Sequence, residues 1–241
     1  MKRLFICLLL AVATLGGANA QVTPKEEVDL SNIRKPHFNI GIIGGFDRNY
    51  HITDVSYMTD YQYSKYAPGS TYGIQLGFTP VNWLTLRLDG VMVQKNYYRS
   101  HVISSTHQSF PDTTTNQYIN VPLALQLNVG KLVKLHAFGG GYVGYWLSSH
   151  RVGRSMGVFG NPEYDTYIDF DSPESQLRDN RLDWGFTYGA GLSTVLFKHL
   201  QIGAEIRWYY GMMDIQKPYM QNLNPRYNTT MAIQGGVSYW L

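Results

Sequence analysis

Cysteine is almost absent: the 241 residues hold one, Cys7. A lone cysteine excludes a disulfide framework and a thiolate metal centre. Charge is sparse too, with Asp, Glu, Lys and Arg at 15 % and a formal net charge of +3. Lys2 and Arg3 supply two of those positive charges, so the remaining chain is near neutral and carries no basic footprint for nucleic acid. Beyond the N-terminus no apolar run approaches the ~18–20 residues of a membrane-crossing helix. GxGxxG, P-loop and HExxH motifs are missing, as is any plausible Ser-His-Asp set. These absences predict no catalytic residues, no cofactor, no metal and no nucleic-acid partner.

What the chain has begins with a leader. Lys2 and Arg3 precede an apolar stretch over residues 4–15, and Ala18-Asn19-Ala20 follows as a small-x-small site. The apolar stretch is too short to span a bilayer as a helix. It predicts a cleaved secretory signal over 1–20, with Gln21 as the new N-terminus and Cys7 too early to be a lipidated cysteine. Residues 21–36 then form a short periplasmic segment, and 37–241 the folded domain.

Eight segments alternate apolar and polar residues with period two, the signature of strands with unlike faces. They lie near 37–47, 71–79, 84–97, 117–128, 133–147, 183–196, 200–210 and 228–241. In the fourth, Ile119, Val121, Leu123, Leu125 and Leu127 share a face, opposite Asn120, Ala124 and Gln126. In the seventh, Leu200, Ile202, Ala204, Ile206 and Trp208 oppose Gln201, Gly203, Glu205 and Arg207. The polar set is mostly Gly, Ala, Ser, Thr and Gln, small enough for the inside of a narrow eight-stranded barrel. The apolar set is bulky and aromatic, which suits lipid. Connections alternate long and short, about 23, 4, 19, 4, 35, 3 and 17 residues, with ends uncertain by a few residues. That asymmetry matches outer-membrane barrels, whose short turns face the periplasm and long loops the exterior. The prediction is an all-β, eight-stranded antiparallel up-and-down transmembrane β-barrel in the Gram-negative outer membrane, with lipid as its solvent.

Charges set the register. Arg87, Asp89, Lys134, His136, Glu205 and Arg207 fall on the inward face, where opposite signs can meet. A slip of one residue would turn a strand's charges into hydrocarbon. Arg87, Asp89, Glu205 and Arg207 are expected to form part of a lumenal ion-pair network. Ile119, Val121, Leu123, Leu125, Leu127, Leu200, Ile202 and Ile206 are expected to face lipid. The third strand loses phase after Gly90, at Val91, Met92 and Val93; the facing of these three is open and a bulge is expected. Aromatic girdles are expected from Trp83, Tyr97, Tyr98, Tyr145, Trp146, Trp184, Trp208, Tyr209, Tyr210, Tyr239 and Trp240.

Several segments carry a resemblance. Tyr118-Ile119-Asn120-Val121-Pro122-Leu123-Ala124-Leu125, with proline inside an aliphatic strand, is similar to the fourth strand of the PorT-like outer-membrane barrels of Bacteroidetes. The glycine-rich Ala137-Phe138-Gly139-Gly140-Gly141-Tyr142-Val143-Gly144 resembles their fifth. Asp183-Trp184-Gly185-Phe186, Gly189-Ala190-Gly191-Leu192 and the closing Gly235-Gly236-Val237-Ser238-Tyr239-Trp240-Leu241 resemble the family's later strands. The resemblance implies an eight-stranded barrel inserted by the outer-membrane assembly machinery, and no particular biochemical role. Assembly signals usually end in Phe or Trp; here the chain ends in Leu241, and Tyr239 and Trp240 would serve instead.

A few residues invite sharper readings. Ser148-Ser149-His150 could suggest a rim hydrolase like the lipid A deacylases, but neighbours on an extended chain point apart. Glu163, Asp165, Asp169, Asp171 and Glu174 make an acidic loop whose spacing fits no calcium-loop pattern, and Ser172-Pro173 reads there as a turn. Asp112-Thr113-Thr114 resembles a short O-glycosylation site. Tyr57, Tyr61, Tyr63 and Tyr66 are loop binding candidates, since rigid amphipathic tyrosines suit glycan or protein surfaces. The expected role is non-enzymatic: structural, adhesive, or a partner of an envelope or surface protein, acting through the long extracellular loops. The alternatives are a lipid-modifying enzyme and a secreted soluble ligand-binding barrel.

Overall fold

A computed structural model describes residues 36–52, 61–63, 66–103, 108–130, 133–154, 162–197, 199–217 and 226–241. Its elements are β1 (His37–Ile52), β2 (Tyr61–Tyr63), β3 (Ala67–Val81), β4 (Leu84–Gln94), β5 (Tyr97–Ile103), β6 (Gln108–Val129), β7 (Val133–Arg154), β8 (Glu163–Tyr167), α1 (Pro173–Arg178), β9 (Leu182–Phe197), β10 (Leu200–Asp214) and β11 (Tyr227–Trp240). Eight strands pair antiparallel in the order β1-β3-β4-β6-β7-β9-β10-β11, and β11 pairs back onto β1. The ring therefore has no free edge, and every ring strand's ladder is satisfied on both sides. Among the described residues no helix is long and apolar enough to cross a membrane.

Each ring strand matches one of the segments expected from alternation; the third segment, 84–97, overruns β4, which ends at Gln94, and its last residue opens β5. The short connections β3–β4, β6–β7 and β9–β10 all lie at one end of the ring. Gly130 there has φ of 116°, a left-handed conformation that glycine adopts without a Cβ clash. At the other end, three of the long connections hold structure of their own, which alternation did not reveal. Strands β6 and β7 run on beyond the ring, with Asp112 paired to Gly153. Strand β5 joins β6, β2 joins β5, and β8 joins β7. The result is a sheet β2-β5-β6-β7-β8 that continues the ring's wall at the long-loop end.

Helix α1 corrects the reading of Ser172-Pro173 as a turn. Ser172 caps the helix by accepting from the Ser175 amide, and Pro173 takes the first turn, where no amide donor is needed.

Facing follows the alternation. Ile119, Val121, Leu123, Leu125 and Leu127 point outward and are 40–56 % exposed. Ile206 is exposed on the outside too, and Leu200 and Ile202 on the same row are half-buried. From Ile119 to Val129 such a row climbs about 25 Å at a typical strand rise and tilt, the height of a bilayer's apolar band. Opposite them, Arg87, Asp89, Asn120, Ala124 and Gln126 are buried. The molecule is inside-out relative to a protein in water.

No bulge occurs at Val91-Met92-Val93. The β3–β4 register runs unbroken from Thr71↔Val93 to Phe78↔Leu86, and the β4–β6 register is the same before and after Val121 and Pro122. Val91 and Val93 point inward and are fully buried, while Met92 lies on the outward phase. At this level the lumen itself is apolar: Ile43, Val91, Val93, Tyr142 and Tyr209 form a buried cluster. The loss of phase in the sequence marks a change in what fills the barrel, not a shift of register.

The girdle is thinner than expected. Trp83, Tyr98, Tyr145, Trp184, Tyr210 and Tyr239 are exposed, but Tyr97, Trp146, Tyr209 and Trp240 are buried. Neighbours on a strand face opposite sides, so Tyr97-Tyr98, Tyr145-Trp146, Tyr209-Tyr210 and Tyr239-Trp240 cannot both meet lipid.

Candidate functional site

Inside the ring, strands β4 and β10 project their charges toward each other. Arg87 reaches Glu205 at 2.7 Å and Asp89 at 3.2 Å, and Arg207 reaches Asp89 at 2.7 Å and Glu205 at 3.1 Å. Two guanidiniums and two carboxylates thus close a neutral square, which makes burial of each charge tolerable. Both arginines lie over the ring of Phe138 from β7, whose centroid is 4.9 Å from the Arg87 guanidinium carbon and 4.8 Å from that of Arg207. His136 stands 3.5 Å from Glu205. Lys134, on the same inward face, makes no ion pair with the square; its ammonium lies 4.9 Å over the Trp240 ring. Trp240 is stacked on His37 and donates to Gln201 Oε1, so it furnishes the short-turn end of the lumen. From the square a hydrogen-bonded chain runs toward that end: Arg87 to Gln126, Gln126 to Asn128, Asn128 to Thr85, and Thr85 with Thr79.

Above the square, Tyr209 accepts from Arg207 at 3.1 Å and meets Tyr142 edge-on at 5.3 Å. Beyond this layer a second ion pair is buried. Lys95 Nζ lies 2.5 Å from Asp183 Oδ2 and over the rings of Tyr118 and Tyr142. Tyr142 and Asn228 donate to the same carboxylate oxygen at 3.3 Å each. Sequence reasoning missed this pair, although Lys95 has the inward parity of Arg87 and Asp89, and Asp183 that of Thr187.

At the long-loop end the wall continues past the ring: Asn180 donates to the Ile215 carbonyl and Lys217 to that of Arg178, prolonging the β9–β10 ladder, while the Trp146 amide donates to the Arg181 carbonyl, prolonging β7–β9, and the Arg181 guanidinium donates to the Trp146 carbonyl. Phe170 packs edge-on against Trp146, and Trp146 stacks on Tyr118. Asp179 comes within electrostatic reach of Tyr118, and Arg178 within that of Tyr97. The hydrogen-bonded Asp179 carboxylate raises Arg178 above the usual guanidinium range.

The surface sheet has two unlike faces. On one, Asp112 is buried between Arg99 at 2.5 Å and Arg151 at 3.7 Å. On the other, Thr113 pairs with Tyr98 and Val152, and Val152 and Tyr167 are 44 % and 72 % exposed. The Asp112-Thr113-Thr114 tripeptide is thus mid-strand, with its carboxylate engaged. Ser149 is fully buried, whereas His150 stacks on Tyr167 and reaches Asp165 at 2.5 Å, so the strand turns the two apart. In the acidic loop Glu163 pairs with Arg154 and Glu174 with Arg178, and among the described residues no three potential ligands cluster as a metal site would require. Of the loop tyrosines, Tyr57 lies outside the described residues. Tyr61 and Tyr63 sit in β2, opposite His101 and Arg99 in register. Tyr66 holds Arg48 over its ring at 4.5 Å and meets Tyr50 edge-on.

A family profile described as "Outer membrane protein beta-barrel domain" matches residues 19–217. Nothing among curated proteins matches the chain. Among solved structures, the fold is similar to the outer membrane protein OprG from Pseudomonas aeruginosa, at 11 % identity and a TM-score of 0.50, covering 87 % of this chain and 98 % of that one. Neisserial surface protein A is similar at 12 % identity and a TM-score of 0.46, covering 84 % and 96 %. At such identities the likeness extends to the fold alone.

Proposed function

The chain belongs to the outer membrane protein beta-barrel domain family, and from that premise we propose that it is a non-enzymatic surface scaffold whose extracellular sheet docks a protein partner of the cell envelope. The short turns are then periplasmic and the long loops extracellular. One observation carries the reading: the wall continues past the ring as the sheet β2-β5-β6-β7-β8 and presents Tyr98, Val152 and Tyr167 to the exterior. Exposed aromatic and aliphatic side chains on a rigid scaffold are what a docking surface needs. A lumen filled by buried ion pairs and aromatic side chains fits a platform better than a wide pore.

A photo-crosslinking residue at Val152 or Tyr167, in intact cells, is expected to give one discrete protein adduct, and the same residue at Leu123 only lipid adducts. Absence of a protein adduct at both sheet positions contradicts the proposal. Lipid A from a deletion strain is expected to be unaltered; an altered lipid A would favour the enzymatic alternative.

Two finer statements belong to the same reading. The Tyr118–Leu125 pattern and the glycine-rich fifth strand support placement among PorT-like barrels of Bacteroidetes. Residues 1–20 are read as a cleaved leader, so mass spectrometry of membrane-extracted protein is expected to find Gln21 as the first residue. Retention of residues 1–20 contradicts that part.

A further inference from the structure

The ring closes on itself, but the sheet that prolongs its wall does not. The end strands of that sheet are β2 and β8, and among the described residues no strand pairs on the far side of either. Strand β2 has three residues, too few to hold a segment in register, whereas β8 has five, Glu163–Tyr167. We propose that the free edge of β8 is a strand-addition site for an extended, basic segment of a protein partner. Within the docking role proposed above, on which this rests, the edge is what grips the partner.

The backbone of β8 has hydrogen bonds to offer. The Ile168 amide donates to the Ser149 carbonyl, so residue 168 turns its peptide groups toward β7. Peptide groups alternate sides along an antiparallel strand. Tyr164 and Thr166 therefore bond toward β7, while Glu163, Asp165 and Tyr167 aim their N–H and C=O groups away from it. The register agrees, since Val152↔Asp165 and Arg154↔Glu163 fall at the alternate pairs. Glu163, Asp165, Thr166 and Tyr167 are also exposed. An open, accessible ladder of this kind is a template for a further strand. It adjoins Val152 and Tyr167 of the exposed face, so a partner gripped there covers them too.

Charge decides the occupant. Glu163 and Asp165 lie on the edge strand, Asp169 and Asp171 follow it, and all four are exposed. Among the described residues only Glu163 is paired with an arginine, Arg154 at 2.7 Å, and Asp165 meets His150. A second copy of the chain fits badly. Antiparallel pairing of two β8 strands about Asp165 sets that carboxylate against itself, and like charges directly opposite are destabilising. A strand with lysine or arginine at alternate positions meets opposite charge instead. The carboxylates thus block self-pairing along an open edge and select a basic strand.

The test uses the full chain folded in nanodiscs and a fluorescent peptide, Lys-Val-Lys-Val-Lys-Val-Lys. The peptide is expected to bind. Its form with every backbone amide N-methylated keeps the charge but has no N–H to give, and is expected to bind roughly tenfold more weakly. A Glu-Val repeat of equal length is expected not to bind. Proline is tolerated where the N–H faces away from the ladder, so Asp165→Pro leaves β8 paired to β7 and removes one edge donor. Affinity for the lysine peptide is expected to fall about tenfold in that variant. Asp165→Asn keeps the donor and loses one exposed charge, for a fall of about two- to threefold. No binding of the lysine peptide, equal binding of its methylated form, or equal losses in the two variants overturns strand addition. Equal binding of the Glu-Val repeat overturns the basic class of partner. Heat-dependent electrophoretic mobility identifies folded variants, and the methylated peptide decides if Asp165→Pro does not fold. In cells, the protein adduct at position 152 is expected to be lost with Asp165→Pro and kept with Asp165→Asn. An adduct kept with both overturns the edge and leaves the docking surface standing. No adduct even without these substitutions overturns the docking surface, and the peptides still decide the edge.

Discussion

Leu123→Arg is expected to destabilise the membrane-inserted barrel by about 2–4 kcal/mol, and Val129→Arg by about 0–1 kcal/mol. Both side chains lie on the outward row of β6, at 52 % and 72 % exposure. In water the two substitutions would be nearly equivalent, because each replaces an exposed apolar side chain by a charged one. In a bilayer they differ by depth. Leu123 lies six residues, or about 15 Å, further up the tilted strand from the periplasmic rim. The guanidinium at 129 can reach the headgroups, whereas that at 123 is held in hydrocarbon. Reversible urea unfolding into lipid vesicles measures the difference. Equal losses at the two positions would show that the outward row does not meet a bilayer.

Arg207→Met is expected to be the most damaging single change in the lumen, at about 3–5 kcal/mol. It removes the 2.7 Å partner of Asp89 and leaves three charges where there were four, with two carboxylates facing one arginine. A loss of that size is a large share of the ~5–15 kcal/mol that holds a typical domain together. The compensating change follows from the geometry. Arg207→Met with Asp89→Leu leaves Arg87 and Glu205 as an intact neutral pair, and most of the stability is expected to return. If the double variant unfolds as readily as the single one, charge balance within the square is not what makes the burial tolerable.

The ring was legible because each of its strands has unlike faces, and the alternation that places Leu123 outside places Gln126 inside. The same parity, applied to every charge in the expected spans, also selects Lys95 and Asp183. The second ion pair was therefore within reach of the argument that found Arg87 and Arg207. The fate of Lys134 was not: parity says which side a lysine faces, not whether a carboxylate or the Trp240 ring awaits it. Strands β2, β5 and β8 escaped because they are short and polar on both sides, as in Glu163-Tyr164-Asp165-Thr166-Tyr167, so alternation has nothing to contrast. Val91 and Val93 misled for the opposite reason, since an apolar layer inside the lumen imitates a loss of phase. Helix α1 had its signature in Ser172-Pro173-Glu174, a cap followed by proline and an acidic first turn.

The inversion of the molecule is open to one direct measurement: nitroxide scanning of residues 119–129 along β6 in lipid vesicles. The rate of collision with oxygen, which concentrates in hydrocarbon, is expected to peak at 119, 121, 123, 125, 127 and 129 and to fall at each even position between them. Oxygen maxima at 120, 122, 124, 126 and 128, or a flat profile, would contradict a barrel that turns its aliphatic rows to lipid and encloses its charges.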